Sequence, residues 1–157
     1  YGVGRGSPVD SRYSHLTIQS THLQELLAYW IKISPTGLLP GRNDIDPIEI
    51  PHILPFCELI DVHLKPLDFQ YRLIGTKIDN ISRRNYTGLK VSEIPTQTPP
   101  SKMFDLYKRV REDKIPVLTV LPYIGDIPEI EAVESLVLPL ASDGNDVDML
   151  LGGIALN

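Results

Sequence analysis

Three glutamates in the C-terminal third are the side chains best suited to acid–base chemistry. Glu129, Glu131 and Glu134 lie in one short segment, and paired carboxylates transfer protons when their surroundings push their pKa values apart. In an extended strand Glu129 and Glu131 share a face, while Glu134 points to the other. No nucleophile or partner acid accompanies them in a motif that would assign roles. The pattern favours a solvated or edge-protecting acidic patch.

We therefore predict that the protein is not an enzyme. A small α+β isomerase or hydrolase is the less favoured alternative, because the chain lacks an Asp/Tyr or His/Asp constellation with evident geometry. Similarity of fold alone would not supply the missing chemistry.

Acidic and amide side chains cluster in two loops, at Asp44 and Asp46 and again at Asp143, Asn145, Asp146 and Asp148. The first loop lacks the glycine and the distal glutamate of a calcium-binding loop. With Arg42 it could form a salt-bridged lid or an anion contact, but we favour a network that caps and anchors the loop backbone. The second loop fits a polar hairpin turn. We predict no metal site in either loop.

The histidines and the single cysteine show no ligand pattern. No two of His15, His22, His52 and His63 are spaced as a helical ligand pair, and no cysteine stands at zinc-finger spacing. Cys57 opens a predicted strand, which favours a packed, unreactive thiol. One thiol cannot form an internal disulfide, so we expect a cytoplasmic location.

Length and charge narrow the class of protein. The chain has 157 residues, enough for one domain with a real core. It carries 20 acidic against 15 basic residues, so we expect no nucleic-acid binding. No apolar run approaches the length of a membrane span. We predict a flexible tail at residues 1–14, which are glycine-rich and lack periodicity, and a single domain at residues 15–157.

Hydrophobic periodicity and turn residues predict an α+β fold. The predicted elements are a helix at 21–34, one or two helical turns at 48–54, a hairpin with strands 57–64 and 68–74, short helices at 77–82 and 91–94, a helix at 101–113, and strands at 117–124, 131–140 and 149–156. Strands divided by a helical insert indicate a five-stranded antiparallel sheet with helices on one face, preceded by an N-terminal amphipathic helix.

Several short motifs follow one another along these elements. They are Trp30 in the first helix, Gly-x-x-Pro-x-Arg-x-Asp-x-Asp-Pro at 37–47, Tyr-Arg-Leu-x-Gly-Thr at 71–76, Thr-Gly at 87–88, and Leu-Pro-Leu-Ala at 138–141 followed by Asp-Gly. The series resembles the PAS sensory fold, and more narrowly a bacterial family of compact, often stand-alone PAS-like proteins. The resemblance runs from about Thr21 to the end of the chain. It implies a sheet wrapped around a small cavity and a role in signal sensing.

The predicted ligand contacts follow from that fold. Alternation in the strand places Phe69, Tyr71 and Leu73 on one face, which we orient toward the cavity. The predicted ligand-binding residues are Tyr71, Leu73, Thr76, Tyr86 and Tyr107. A plainer interpretation makes Tyr71 a core tyrosine with a hydrogen-bonded hydroxyl, as for most buried tyrosines.

The resemblance does not identify a cofactor. Haem-binding PAS domains usually take an axial ligand from the helices that face the sheet, whereas His52 precedes the hairpin and His63 lies on its first strand. Blue-light relatives form a flavin adduct from a cysteine in an Asn-Cys-Arg helical motif, and Cys57 lacks that context. We predict neither group, and the cofactor is unknown.

The N-terminal helix is the predicted partner surface. Its apolar stripe includes Leu23, Leu27 and Trp30, and in many PAS domains such a helix packs across the sheet of a partner. We therefore expect a homodimer. Two functions stay open: a sensor that binds a small molecule and signals to a protein partner, or a ligand-free interaction module.

Overall fold

The computed structural model describes residues 11–156, which contain three α-helices and five β-strands. The helices are α1 (Thr21–Ile33), α2 (Thr76–Ile81) and α3 (Lys102–Asp113). The strands are β1 (Cys57–His63), β2 (Asp68–Ile74), β3 (Val117–Pro122), β4 (Ala132–Leu140) and β5 (Met149–Leu156). Short 3-10 turns lie at Ser11–Tyr13, Arg42–Asp44, Pro47–Glu49, Leu54–Phe56 and Val91–Glu93.

The strands form one antiparallel sheet in the order β2-β1-β5-β4-β3. The predicted α+β class and the five-stranded antiparallel sheet are therefore confirmed. Three strand ends differ from the prediction, since β1 stops at His63, β3 stops at Pro122 and β4 starts at Ala132. Strands β2 and β3 lie at opposite edges of the sheet, so the helical insert that connects them crosses one face.

Helix α1 begins where two different side chains hold its first turn. Ser20 is the N-cap residue and accepts a hydrogen bond from the Leu23 amide. The buried carboxylate of Glu134, on β4, accepts from the backbone amides of Gln19 and Ser20 at 2.8 and 3.0 Å. The expectation that Glu134 belongs to a solvated acidic patch is therefore wrong. The residue ties the start of α1 to the sheet.

The apolar stripe of α1 packs on one face of its own sheet. Leu23, Leu27 and Trp30 are 0%, 4% and 3% exposed. The Trp30 indole Nε1 donates to the carbonyl oxygen of Pro139 on β4 at 2.9 Å. The three side chains belong to the core of this chain, which corrects the expectation that they form a homodimer surface. The helix covers the sheet face that the prediction assigned to a partner.

The second core cluster lies on the opposite face, under α2, α3 and the turn at Val91–Glu93. Its buried members include Ile60, Phe69, Tyr107, Val137 and Leu150. Strand β4 shows the division plainly, because Leu136 and its even-numbered neighbours join the α1 cluster while Val137 joins this one. The sheet is therefore buried on both faces over its central strands.

A β-bulge changes the facing of residues in β2. Leu59 of β1 pairs with Leu73, and the next residue, Ile60, pairs with Tyr71, so Arg72 has no partner of its own. An extra residue reverses the alternation beyond it. Tyr71 is buried on the α3 face, whereas Leu73 is 53% exposed. The prediction that these two side chains point the same way is wrong for this reason.

The tail predicted at residues 1–14 falls mostly outside the described part of the chain, which begins at residue 11. The Tyr13 ring packs edge-on against Trp30, with 5.8 Å between the ring centroids. This contact extends the α1 core cluster, to which Tyr13 and Leu16 are joined as half-buried members.

Candidate functional site

A cavity of about 410 Å³ lies between the α3 face of the sheet and the helices that cover it. Its sheet side is formed by Glu58, Leu121, Val133, Ser135 and Ile154. The covering side comes from α2, the segment around Tyr86, and the segment that leads into α3, and its residues include Ile78, Ile81, Tyr86, Gln97 and Met103. The walls are mainly apolar, and the polar residues among them include Glu58, Gln97 and Ser135. This combination is typical of small-molecule sites.

Glu58 is the ionisable group in the sheet side of the cavity. It lies on β1, between residues that face the α1 core, and is 8% exposed. Desolvation by burial raises the pKa of its carboxyl group to about 7, and the hydrogen bond from Tyr107 opposes that rise. Near neutral pH, Glu58 therefore exchanges between its neutral and its charged form.

Two tyrosines connect Glu58 to Gln97. The Tyr107 hydroxyl lies 3.4 Å from Glu58 Oε1 and 3.0 Å from the Tyr71 hydroxyl. Tyr71 donates to Gln97 Oε1 at 2.6 Å. Burial, the largest cause, raises the pKa of both phenols, so they remain neutral at physiological pH. The result is a hydrogen-bonded chain that runs from the sheet to the segment before α3.

The contact between Tyr107 and Glu58 is the weakest link of this chain. At 3.4 Å it is longer than an ordinary hydroxyl–oxygen hydrogen bond. A carboxylate can accept about four hydrogen bonds, so Glu58 retains capacity for another donor. Because the residue also lines the cavity, that capacity is available to a bound molecule.

Cationic side chains stand at the rim. Arg83 and Lys102 both line the cavity and are exposed, and Arg83 Nε lies 3.4 Å from an oxygen of Asp126. Tyr123 closes part of the same rim and donates its hydroxyl to the Ile81 carbonyl oxygen at 2.6 Å. The rim is therefore polar and the interior apolar, apart from the end at Glu58.

The structure brings together three of the five predicted ligand contacts. Tyr86 lines the cavity, and Tyr71 and Tyr107 lie behind its wall, linked by their hydroxyls. Thr76 is exposed at the start of α2 and lies away from the cavity, and Leu73 lines a separate cleft on the other face. The plainer interpretation of Tyr71, a buried tyrosine with a hydrogen-bonded hydroxyl, describes its observed environment.

Glu58 and Gln97 are the two ends of the hydrogen-bonded chain, and the sequence analysis selected neither. Glu58 did carry a signal, since it shares the face of β1 with Ile60 and Val62, where an apolar residue is the norm. Gln97 carried none, because it lies in a proline-rich segment without periodicity. Its position depends on the packing of that segment against Tyr71.

The acidic loops have structural roles. Asp44 accepts from the Gly41 amide at 2.8 Å, and Asp46 caps the next turn by accepting from the Ile48 amide at 3.0 Å. Asp143 accepts from the Asn145 and Asp146 amides. These contacts confirm the predicted capping network and hairpin turn. Over residues 11–156 no group of three His, Cys, Asp or Glu side chains is arranged to hold a metal ion.

Cys57 is a packed thiol, as predicted. It is buried, and desolvation raises the pKa of its thiol to about 12. The four histidines are dispersed over different parts of the surface. His22 stacks on Phe56 with 4.4 Å between ring centroids, and His63 contacts the Gln70 side chain at 2.8 Å.

Of the comparisons with known proteins, the one with family models found a match, and that match agrees with this architecture. Within the described residues no helix has the length and apolar character required to cross a membrane. No curated protein and no solved structure matches the chain. A family model described as a PAS domain matches residues 18–155, which is most of the chain. PAS domains are in general sensory or regulatory modules rather than enzymes. With its five-stranded antiparallel sheet and its helix-covered cavity, the chain belongs to the PAS domain family.

Proposed function

We propose that this protein is a sensory module that binds a small, mainly apolar molecule in the cavity and recognises it through Glu58. The observation that carries the proposal is the opening of the cavity onto a buried, weakly satisfied carboxyl group. Apolar walls supply affinity by removing apolar surface from water. A hydrogen-bond donor on the ligand supplies specificity, because a buried carboxylate without a partner is unfavourable.

The hydrogen-bonded chain gives binding a route to the surface. Each tyrosine hydroxyl has one proton to donate. With Glu58 neutral, donation can run from Glu58 through Tyr107 and Tyr71 to Gln97 Oε1. With Glu58 charged and accepting from Tyr107, Tyr71 donates to Tyr107 and Gln97 must turn its amide N–H groups toward Tyr71.

A donor on the ligand stabilises the charged form of Glu58 and hence the second orientation of Gln97. The backbone carbonyl oxygen of Gln97 accepts a hydrogen bond from the Ser101 hydroxyl at 2.5 Å, and Ser101 is the N-cap residue of α3. In this proposal a change in the Gln97 side chain reaches the start of α3 through the backbone of the same residue. The ligand shifts the equilibrium between two packings of α3 against the sheet. A signalling protein that contacts α3 would then respond to that shift.

Native mass spectrometry and thermal denaturation together test the proposal. We expect a small co-purifying mass, or a compound from a metabolite panel, to raise the melting temperature of the wild-type protein. Glu58→Gln removes the charged acceptor and should lose most of that shift. Glu129→Gln, an exposed glutamate outside the cavity, should keep it. A ligand that raises the melting temperature of Glu58→Gln as much as that of wild type would contradict the role assigned to Glu58.

A homodimer is the second candidate, supported by exposed apolar residues on edge strand β3 and just after it. Val120 and Ile124 are 58% and 62% exposed, and an edge strand leaves backbone groups free to pair. A second copy could pair with β3 across a two-fold axis. Light scattering of wild type and of Val120→Lys tests this mode. A dimer that persists unchanged in the lysine variant would contradict pairing through β3.

The wider setting is also a proposal. The resemblance of the motif segments to compact bacterial PAS-like proteins supports a bacterial signalling protein, and a single buried thiol is compatible with the reducing cytoplasm. Fractionation of cells that express the protein would test the location. Recovery from a membrane or secreted fraction would contradict it.

A further inference from the structure

A second concave surface lies on the α1 face of the sheet, at the end that α1 leaves uncovered. The helix packs on β4 and β5, while β1 and β2 extend beyond it toward the 3-10 turns between residues 42 and 56. Between these turns and the strands is a cleft of about 290 Å³. Its apolar residues include Ile45, Ile50, Leu54, Leu59 and Leu151.

Arg42 is the cation of this cleft. It is half-buried and lines the cleft, and its guanidinium has no hydrogen bond or ion pair with any residue from 11 to 156. Its acidic neighbours in the loop are already engaged, Asp44 with the Gly41 amide and Asp46 with the Ile48 amide. Neither aspartate lines the cleft. A guanidinium at an apolar cleft without a carboxylate partner has N–H groups free to donate to an anion.

Leu73 adds exposed apolar surface to the same cleft. The bulge at Arg72 turns it away from the α3 core and leaves it 53% exposed beside the cleft. Arg72 itself is engaged with Asp61, its Nε lying 3.0 Å from both carboxylate oxygens. The bulge thus presents a leucine to the cleft and removes its neighbouring arginine from it.

Glu58 is the carboxyl group that must be considered beside Arg42, since it also borders the cleft. Its Oε1 contacts Tyr107 on the α3 face, and its side chain lies close to Gly152 on that face. The sheet therefore separates the Glu58 carboxyl group from Arg42. An anion at Arg42 would not meet a facing carboxylate.

We propose that the cleft binds small aliphatic carboxylates. The carboxylate pairs with the Arg42 guanidinium, and the aliphatic chain lies against Leu59, Leu73 and Leu151. A guanidinium matches a carboxylate with two parallel hydrogen bonds. The volume of about 290 Å³ is at the small end of ligand pockets and suits a short chain rather than a large cofactor. This site lies on the opposite face from the cavity of the proposed function and is independent of it.

Straight-chain acids of increasing length are the probes for the test. Butanoate, hexanoate and octanoate are titrated into isotope-labelled full-length protein while methyl resonances are followed by NMR. We expect shifts at Leu59, Leu73 and Leu151, with Ile78 and Met103 in the other cavity unaffected. Each two added methylene groups should tighten the dissociation constant by about tenfold while the chain still fits.

Matched arginine variants separate charge recognition from general apolar binding. Arg42→Gln should weaken octanoate binding by at least about tenfold, the loss of one charge-assisted pair. The octanoate affinity of Arg42→Lys should lie between those of wild type and Arg42→Gln, because lysine keeps the charge and loses the paired geometry. Arg83→Gln, at the rim of the other cavity, should bind as wild type does. Arg42 is half-buried and Arg83 is exposed, and denaturation midpoints check that all three variants are folded.

Several results would overturn the proposal. Equal affinity for octanol and octanoate, or equal affinity of Arg42→Gln and wild type, would remove the carboxylate recognition. Shifts confined to Ile78 and Met103 would make octanoate a ligand of the other cavity. If no methyl resonance shifts at the highest soluble concentration of octanoate, the cleft does not bind aliphatic carboxylates. A peptide with a C-terminal leucine that shifts the same methyls at lower concentration would assign the cleft to a protein tail.

Discussion

At the scale of single residues, Glu58 dominates the chemistry of the α3 face. A carboxyl group whose pKa is higher in the folded state than in the unfolded state favours folding most when it is protonated. Its ordinary value is 4.5, and burial raises it to about 7. The stabilising contribution is therefore complete below pH 4.5 and is lost as the pH rises through 7. Neutralising the residue should remove this dependence.

Glu58→Gln should make the protein relatively more stable at higher pH. Measured against wild type, the gain in free energy of unfolding should grow between about pH 4.5 and pH 8 and reach about 3 kcal/mol. Urea denaturation at a series of pH values measures it. Glu129→Gln, at an exposed site, should give a difference that does not vary with pH. A constant difference for Glu58→Gln as well would contradict the raised pKa.

Tyr107→Phe should interrupt the hydrogen-bonded chain without emptying the core. It removes the hydroxyl between Glu58 and Tyr71 and should lower stability by about 1–2 kcal/mol, the usual effect of a lost buried hydrogen bond. It should also raise the pKa of Glu58 further, because the hydrogen bond from Tyr107 favours the charged form. Tyr86→Phe is the matched control, since no hydrogen bond is formed by the Tyr86 hydroxyl with residues 11–156. Equal stability of the two variants would argue against the hydrogen-bonded chain from Glu58 to Gln97.

At the scale of elements, the beginning of α1 depends on a residue of β4. The Glu134 carboxylate accepts from two consecutive backbone amides just before the helix. These are donors that a helix start leaves unsatisfied unless a side chain or water takes them. The contact joins a local element to a strand far along the sequence, so the position of α1 on the sheet is set by tertiary contact as well as by its cap.

Glu134→Gln should loosen this junction. The amide side chain keeps one acceptor oxygen and loses the charge, so stability should fall by about 2 kcal/mol. Hydrogen exchange should accelerate at Gln19, Ser20 and the first turn of α1 before it does in β4. Glu131→Gln, nearby and exposed, should change neither quantity. Uniform acceleration across the sheet would instead indicate general destabilisation of β4.

The bulge in β2 is the second feature that belongs to the scale of elements. One unpaired residue divides the strand into a part that faces the α3 core and a part that faces the Arg42 cleft. Tyr71 thus belongs to the hydrogen-bonded chain that leads to Glu58. Leu73, two residues later, contributes to a different surface. Two candidate sites on opposite faces therefore draw on one short strand.

At the scale of the whole molecule, α1 closes the sheet of its own chain. If Leu23, Leu27 and Trp30 instead packed on a partner, folding would depend on protein concentration. Because they are buried within one chain, the core should be complete in the monomer. Any dimer must use another surface.

Trp30→Ala tests this arrangement. It removes a large buried side chain together with its hydrogen bond to Pro139 and should lower stability by about 3–5 kcal/mol. The loss should be the same at every protein concentration when measured by denaturant unfolding. Leu38→Ala, an exposed apolar side chain in the following loop, should have little effect. A midpoint that shifts with concentration only in wild type would indicate that Trp30 packs against a partner.

The sequence by itself determined the elements and their order. Apolar spacing defined α1 and α3, and period-two alternation with turn residues defined all five strands to within about two residues. The capping roles of Asp44, Asp46 and Asp143 were also predictable, because such hydrogen bonds are formed within a few residues. The packed state of Cys57 followed from its place in a strand.

Only the tertiary structure decided which side chains share a surface. The bulge that turns Leu73 away from Tyr71 depends on pairing with β1, and the burial of Trp30 depends on β4. The chain from Glu58 to Gln97 joins residues far apart in sequence. Local patterns fix elements because turns, caps and periodicity act over a few residues. Sites need distant contacts, whose register a single inserted residue can reverse.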